Sequence, residues 1–267
     1  MESCRVQITI ALVSAALGVM CFACTDPASP VNTNRNGNLK TTSNSRFPAG
    51  PIVYVALGDS TGSGVGAREG GYVARLFKRL EAQRPGSKLT NLCFSGATSA
   101  DVIREQLESG VRAAPHLVTL GIGINDIGHG VSIEQFAKNY EEILAKFRNS
   151  TSAVIVVTNL PDISSAPRIP ESMRAEYQQS IIKFNDSLTA IAAKYDAKVF
   201  DVFSITTAEL PAHPEYFSGD GFHPSDGGYE LWSERMWPTV AAAIGANEKP
   251  KIASIAPVKF LLKFRRD

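Results

Sequence analysis

The chain has 267 residues, 44% of them hydrophobic and 20% charged, which suits one large water-soluble domain with a substantial core. A formal net charge of +1 excludes a global field that would gather nucleic acid, and the central region carries no local basic patch. Four cysteines, two of them within the first 21 residues, do not make a disulfide framework.

Residues 1–24 differ in kind from the rest. Arg5 precedes a run from Val6 to Ala23 that is apolar or small and uncharged, the layout of an export signal and near the lower limit for an uncleaved spanning helix. The run ends in Cys21-Phe22-Ala23-Cys24, which resembles a degenerate lipobox with cysteine in place of the usual leucine. The expectation is an exported protein, periplasmic or at the cell surface. Lipidation and membrane tethering at Cys24 are the first reading, plain cleavage the second. Residues 25–50 are rich in Asn, Thr, Ser and Pro and cannot bury enough surface to offset ordering, so they read as a flexible tether.

A domain is expected over residues 51–246. Ile52 to Leu57 is a short apolar run of the buried-strand type, stopped by Gly58. Tyr72, Val73, Leu76, Phe77 and Leu80 then recur at helical spacing, predicting a helix to Gln83 that Arg84-Pro85-Gly86 ends. Leu89 to Cys93 reads as a weak strand, Ala100 to Glu108 as a helix and His116 to Leu120 as a strand. Ile133 to Phe147 is an amphipathic helix with Ser132 as its N-cap. Ala153 to Thr158 is the clearest buried strand. A long helix from Ser172 to Tyr195, a strand from Lys198 to Val202, a long loop and a last helix from Ser225-Asp226 to Ile244 complete the pattern. Alternating strands and helices predict a three-layer α/β/α, flavodoxin-like sandwich with a central five-stranded parallel sheet. Residues 247–267 form a basic, apolar tail, read as a frayed or packed end, with contact to an anionic membrane as the sharper alternative.

In an open parallel sheet, ligands sit at the carboxyl ends of the strands. Polar and small residues follow those ends here: Gly58-Asp59-Ser60-Thr61, then Phe94-Ser95-Gly96-Ala97-Thr98, then Gly121-Ile122-Gly123-Ile124-Asn125-Asp126. Asp220-Gly221-Phe222-His223 closes the loop after the fifth strand. A serine hydroxyl needs a base to become a nucleophile, and His223 is a candidate for that role toward Ser60. Asp220, three residues earlier, is placed to orient the imidazole and stabilise its charged form. The Ser60 and Gly96 N–H groups and the Asn125 amide are candidate oxyanion donors.

Leu57-Gly58-Asp59-Ser60, Gly96, Gly123-Ile124-Asn125-Asp126 and Asp220-Gly221-Phe222-His223 resemble, in order, the four blocks of the SGNH (GDSL-type) hydrolases. The resemblance spans about residues 52–244. It implies a serine esterase with Ser60 as nucleophile, Asp220 and His223 as acid and base, and Ser60, Gly96 and Asn125 as the oxyanion hole. No metal or organic cofactor is implied. The expected substrate is a small-molecule or lipid ester, as for a lysophospholipase-like esterase; the alternatives are O-deacetylation of a glycan and a non-catalytic carbohydrate- or lipid-binding domain. A monomer with no nucleic-acid partner is expected.

Other motifs weigh less. Gly62-Ser63-Gly64-Val65-Gly66-Ala67 fits a dinucleotide fingerprint, but it begins five residues beyond the strand and Asn91 stands where the ribose acid belongs. A flexible rim beside Ser60 is the expected role of those glycines. No HExxH occurs. Cys93 reads as a small buried residue, and His116 and His213 as structural. His129 is open between lining the pocket and standing outside it. The loop from Pro161 to Glu171 is expected to form a pocket wall, with Asp162 and Arg168 either solvated or touching a polar head group.

Overall fold

The structure, a computed structural model, describes residues 50–246. The expected export signal, Cys24, the C-terminal tail and all of the tether except Gly50 lie outside the described residues. Five parallel strands, β1 (Val53–Gly58), β2 (Lys88–Asn91), β3 (Leu117–Gly121), β4 (Val154–Thr158) and β5 (Lys198–Phe200), form one sheet in the order β2-β1-β3-β4-β5. The expected fold class is the one observed.

The three central strands are buried almost throughout, which is why they read as continuous apolar runs rather than as alternating ones. Successive side chains nevertheless serve opposite faces. Tyr54, Ala56, Leu117 and Val156 pack beneath α2 (Tyr72–Gln83) and α9 (Asp226–Ala243). Val55, Leu57, Val118, Leu120, Ile155 and Val157 pack on the other face, against Phe136, Tyr140, Ile143 and Phe147 of α6 (Ile133–Ser150) and Ile181, Phe184 and Leu188 of α7 (Glu171–Lys194). Ser132 caps α6 as the sequence predicts, accepting from the Gln135 N–H.

Three elements escape the sequence pattern. A one-turn helix, α1 (Ser60–Ser63), begins directly after β1, and a second short one, α5 (Ile124–Gly128), directly after β3. The third is α8 (Val202–Glu209), which occupies much of what reads as loop after β5. The helix predicted over 100–108 is a continuous run made of α3 (Ser99–Asp101), a π-helical segment (Val102–Leu107) and α4 (Glu108–Arg112).

Where β4 ends, its backbone meets a buried side-chain amide. Asn185 of α7 accepts from the Leu160 N–H at 2.7 Å and donates to the Leu160 carbonyl at 3.0 Å. Asn185→Leu leaves both buried groups without partners. We expect it to lower stability by about 2–4 kcal/mol, read as a fall in the urea midpoint at unchanged slope.

Candidate active site

The chain runs to opposite faces of the sheet after β1 and β3, which are neighbours, so a crevice opens between their carboxyl ends. β1 delivers Ser60 to it. The strand stops at Gly58, where φ is +151° and a Cβ would stand 2.4 Å from the Gly121 carbonyl oxygen, so no side chain fits. Asp59 then caps α1, accepting from the Thr61 N–H at 2.9 Å and the Thr61 hydroxyl at 2.8 Å. Burial pushes the Asp59 carboxyl up, and the Thr61 bonds and nearby His223 offset this only in part. Ser60 is the first residue of the helical turn, where N–H groups have no intrahelical acceptor.

His223 and Asp220 come from a tight loop. The Ser218 N–H donates to the His223 carbonyl at 2.7 Å, the Gly221 N–H donates to the Ser218 carbonyl at 2.9 Å, and Phe217 pairs with Pro224. His223 Nδ1 lies 2.6 Å from Asp220 Oδ2, and His223 Nε2 lies 3.0 Å from Ser60 Oγ. A carboxylate only accepts, so Nδ1 carries the hydrogen and Nε2 is left to accept from the serine hydroxyl. Burial alone would raise the Asp220 carboxyl. Bonds from the His223 ring, the His223 and Phe222 N–H groups and the Ser218 hydroxyl overcome that and hold it well below the usual range.

Asn125 lies in the first turn of α5 and lines the same cavity. Its Nδ2 donates to the Ala97 carbonyl at 2.8 Å, which ties the turn containing Gly96 to α5. The second N–H of that amide has no partner among the described residues. Gly96 itself is exposed, with φ of +81°, and stands outside the cavity lining. Asp126 braces the same turn from below. Its carboxylate accepts the Ser99 N–H at 2.9 Å and the Ser99 hydroxyl at 2.5 Å, and Asn139 donates to Ser99 Oγ at 2.9 Å.

The glycine-rich segment after Ser60 is clamped rather than a free rim. Tyr229 donates to the Val65 carbonyl at 2.8 Å, and Asp226 accepts the Arg68 and Glu69 N–H groups. At Gly66, φ is +94° and a Cβ would stand 2.9 Å from His223 Cβ, so the backbone lies directly against the histidine. Cys93 is half-buried, its Sγ so close over Gly62 that a Cβ there would meet it at 2.4 Å; burial raises the thiol.

The remaining candidates separate. His116 Nδ1 accepts the Val53 N–H at 3.0 Å, and His213 pairs with Glu215, away from Ser60's partners. His129 is exposed at the end of α5 and does not line the cavity. Pro161 and Ile163 do form a wall of it, as expected. Asp162 is neither solvated nor open to a head group: it is buried and accepts from Gln178 at 2.6 Å and Thr207 at 3.0 Å. Arg168 is exposed.

A model of the GDSL-like Lipase/Acylhydrolase family matches residues 56–231. The chain belongs to that family. The match takes in Ser60, Gly96, Asn125, Asp220 and His223 alike. Among its relatives is the esterase TesA of Pseudomonas aeruginosa, 24% identical over 187 residues, which are 70% of this chain and 86% of that one. Solved structures share the fold of this GDSL-like acylhydrolase at lower identity. LAE5, an α/β hydrolase from the metagenome of Lake Arreo, Spain, superposes with a TM-score of 0.60 at 22% identity, covering 76% of this chain and 98% of its own. The acetylxylan esterase Axe2 of Geobacillus stearothermophilus gives 0.59 at 19% identity, covering 74% and 97%.

One residue of the acylhydrolase site has no signal in the spacing of the motifs. Gln106, 1% exposed in the π-helical segment, accepts from the Gly58 N–H and donates to the Gly58 carbonyl, both at 2.8 Å. It grips the backbone two residues before Ser60. Gln106→Ala should lower kcat about tenfold or more with KM little changed, because misplacement by a fraction of an ångström slows attack. In Gln106→Glu a protonated carboxyl reproduces both bonds and burial favours that form. Turnover of Gln106→Glu should therefore hold near neutral pH and fall on the alkaline side while the parent remains active.

Proposed function

We propose that the protein is a serine carboxylic-ester hydrolase with Ser60 as nucleophile. The observation that carries this reading is the unbroken hydrogen-bonded chain from Ser60 through His223 to Asp220, at 3.0 and 2.6 Å. His223 Nε2 takes the hydroxyl proton as Oγ attacks the ester carbonyl. Asp220 stabilises the imidazolium that forms and keeps the ring in the tautomer that accepts. His223 then protonates the leaving alcohol, and water cleaves the acyl-enzyme by the same route in reverse.

The oxyanion is met by the Ser60 N–H, the Gly96 N–H and the second N–H of Asn125. Support for Asn125 is that its first N–H is already committed to Ala97, which fixes the direction of the other. Asn125→Ala should cost about 10²–10³ in kcat. The notion of a glycan deacetylase stands as the second reading, favoured by the fold shared with an acetylxylan esterase. For the leader we infer export with lipid attachment at Cys24, supported by the uncharged run from Val6 to Ala23 and the small residue before Cys24.

Hydrolysis of p-nitrophenyl esters should vanish in Ser60→Ala and fall by about 10³–10⁴ in Asp220→Asn, which offers His223 the wrong partner. Equal turnover by Ser60→Ala and the parent would overturn the assignment. Because Asp220 is held below the usual carboxylate range, it stays ionised through the pH range in which ordinary carboxylates protonate. The acid limb of kcat/KM should accordingly show no second step from Asp220 within the usual carboxylate range. Asp220 ionisation favours the fold above the unfolded titration near about pH 4 and loses that effect only as pH falls through its lowered value.

A further inference from the structure

A narrow, open-mouthed cavity starts at Ser60, Asn125 and His223 and extends between α8 and the first turns of α9. Its walls are apolar: Ile163 on the β4 side, Ile205 and Leu210 at α8, Leu231 and Trp232 on α9, and Phe222 beside His223. Trp232 is backed by the Tyr72 ring, stacked parallel at 4.9 Å, so that wall is stiff. Few polar side chains line the space away from the serine, and Thr206, Asp59 and Glu209 among them already have partners, while the Trp232 indole N–H is buried with none. The Thr206 hydroxyl donates to the Val202 carbonyl at 2.8 Å and accepts the Asp162 N–H at 2.7 Å. Asp59 is taken up by Thr61, and Glu209, with its side chain 33% exposed, faces His213 at 3.9 Å.

A sugar or a charged head group placed there would lose water and gain few hydrogen bonds, which is costly. An alkyl chain would lose only unfavourable hydration. Resting on the serine-hydrolase reading above, the geometry points to this cavity as the site of the ester's acyl chain, with a linear chain longer than acetyl as the substrate class. The alcohol part of the ester then leaves on the open side, toward solvent. The α8 and α9 walls make chain length a property of the side chains at 205 and 231.

The test is kcat/KM of the full chain on p-nitrophenyl acetate, butanoate, hexanoate, octanoate and palmitate, repeated on cavity variants. In the parent, kcat/KM should climb about fourfold per methylene over the first steps before levelling. Ile205→Trp and Leu231→Trp, which fill the space from opposite walls, should cut the octanoate-to-acetate ratio by about tenfold or more. Ile205→Ala should move that ratio or the optimum toward longer chains, and it answers the question even where a tryptophan variant does not fold. A parent that prefers acetate, or ratios unmoved in Ile205→Ala and the folded tryptophan variants, would overturn the acyl-site assignment. If that acetate turnover depends on Ser60, the serine-esterase reading survives the failure. Turnover on no ester at all would overturn both.

Discussion

A parallel sheet runs out of backbone partners at the carboxyl ends of its strands, and those ends are where this protein keeps its reactive groups. Each strand exit needs its last N–H and C=O satisfied without blocking the crevice. Two buried amides meet that need: Gln106 on Gly58 after β1, and Asn185 on Leu160 after β4. A side-chain amide suits the task because it presents one donor and one acceptor side by side, as the missing strand would. The serine turn and the β4 wall of the cavity both hang from these clamps.

The same economy links the motifs to one another. Asn125 holds the Gly96–Ala97 turn, and Asp126, its neighbour, holds Ser99 on the far side of that turn. The segments that follow β2 and β3 are thereby tied into one body. Asp126 is kept buried for this purpose, with burial raising its carboxyl and the Ser99 bonds offsetting that in part. On the other flank, Asp226 and Tyr229 of α9 hold the glycine-rich segment against His223. Preorganisation of this kind favours charge development in the transition state, since the dipoles need not reorient during reaction.

Specificity is separable from this machinery. Ser60 and Asn125 sit just beyond strand ends, whereas the cavity leading away from them is shaped by α8, α9 and the loop after β4. Ile205, Leu210 and Leu231 take no part in the Ser60–His223–Asp220 hydrogen bonds.

Sequence alone determined the order of the five strands and of the long helices between them, and it named Ser60, Asp220 and His223 as candidates. Buried strands need apolar runs, amphipathic helices need helical periodicity, and a serine, a histidine and an acid in these four blocks have few other joint explanations. Tyr72–Gln83 was legible to the residue because its apolar stripe is regular. What sequence did not disclose depends on contacts between distant segments. α8 carries apolar and polar residues without a clear stripe, since Val202 and Ile205 join one core cluster and Phe203 the other, so periodicity could not find it. Gln106 looks like any polar helical residue until the fold buries it under Gly58, and Asp162 looks solvated until Gln178 and Thr207 reach it. The shape and apolar lining of the cavity belong to the tertiary structure for the same reason: they arise where several segments meet, and no one segment records the volume left between them.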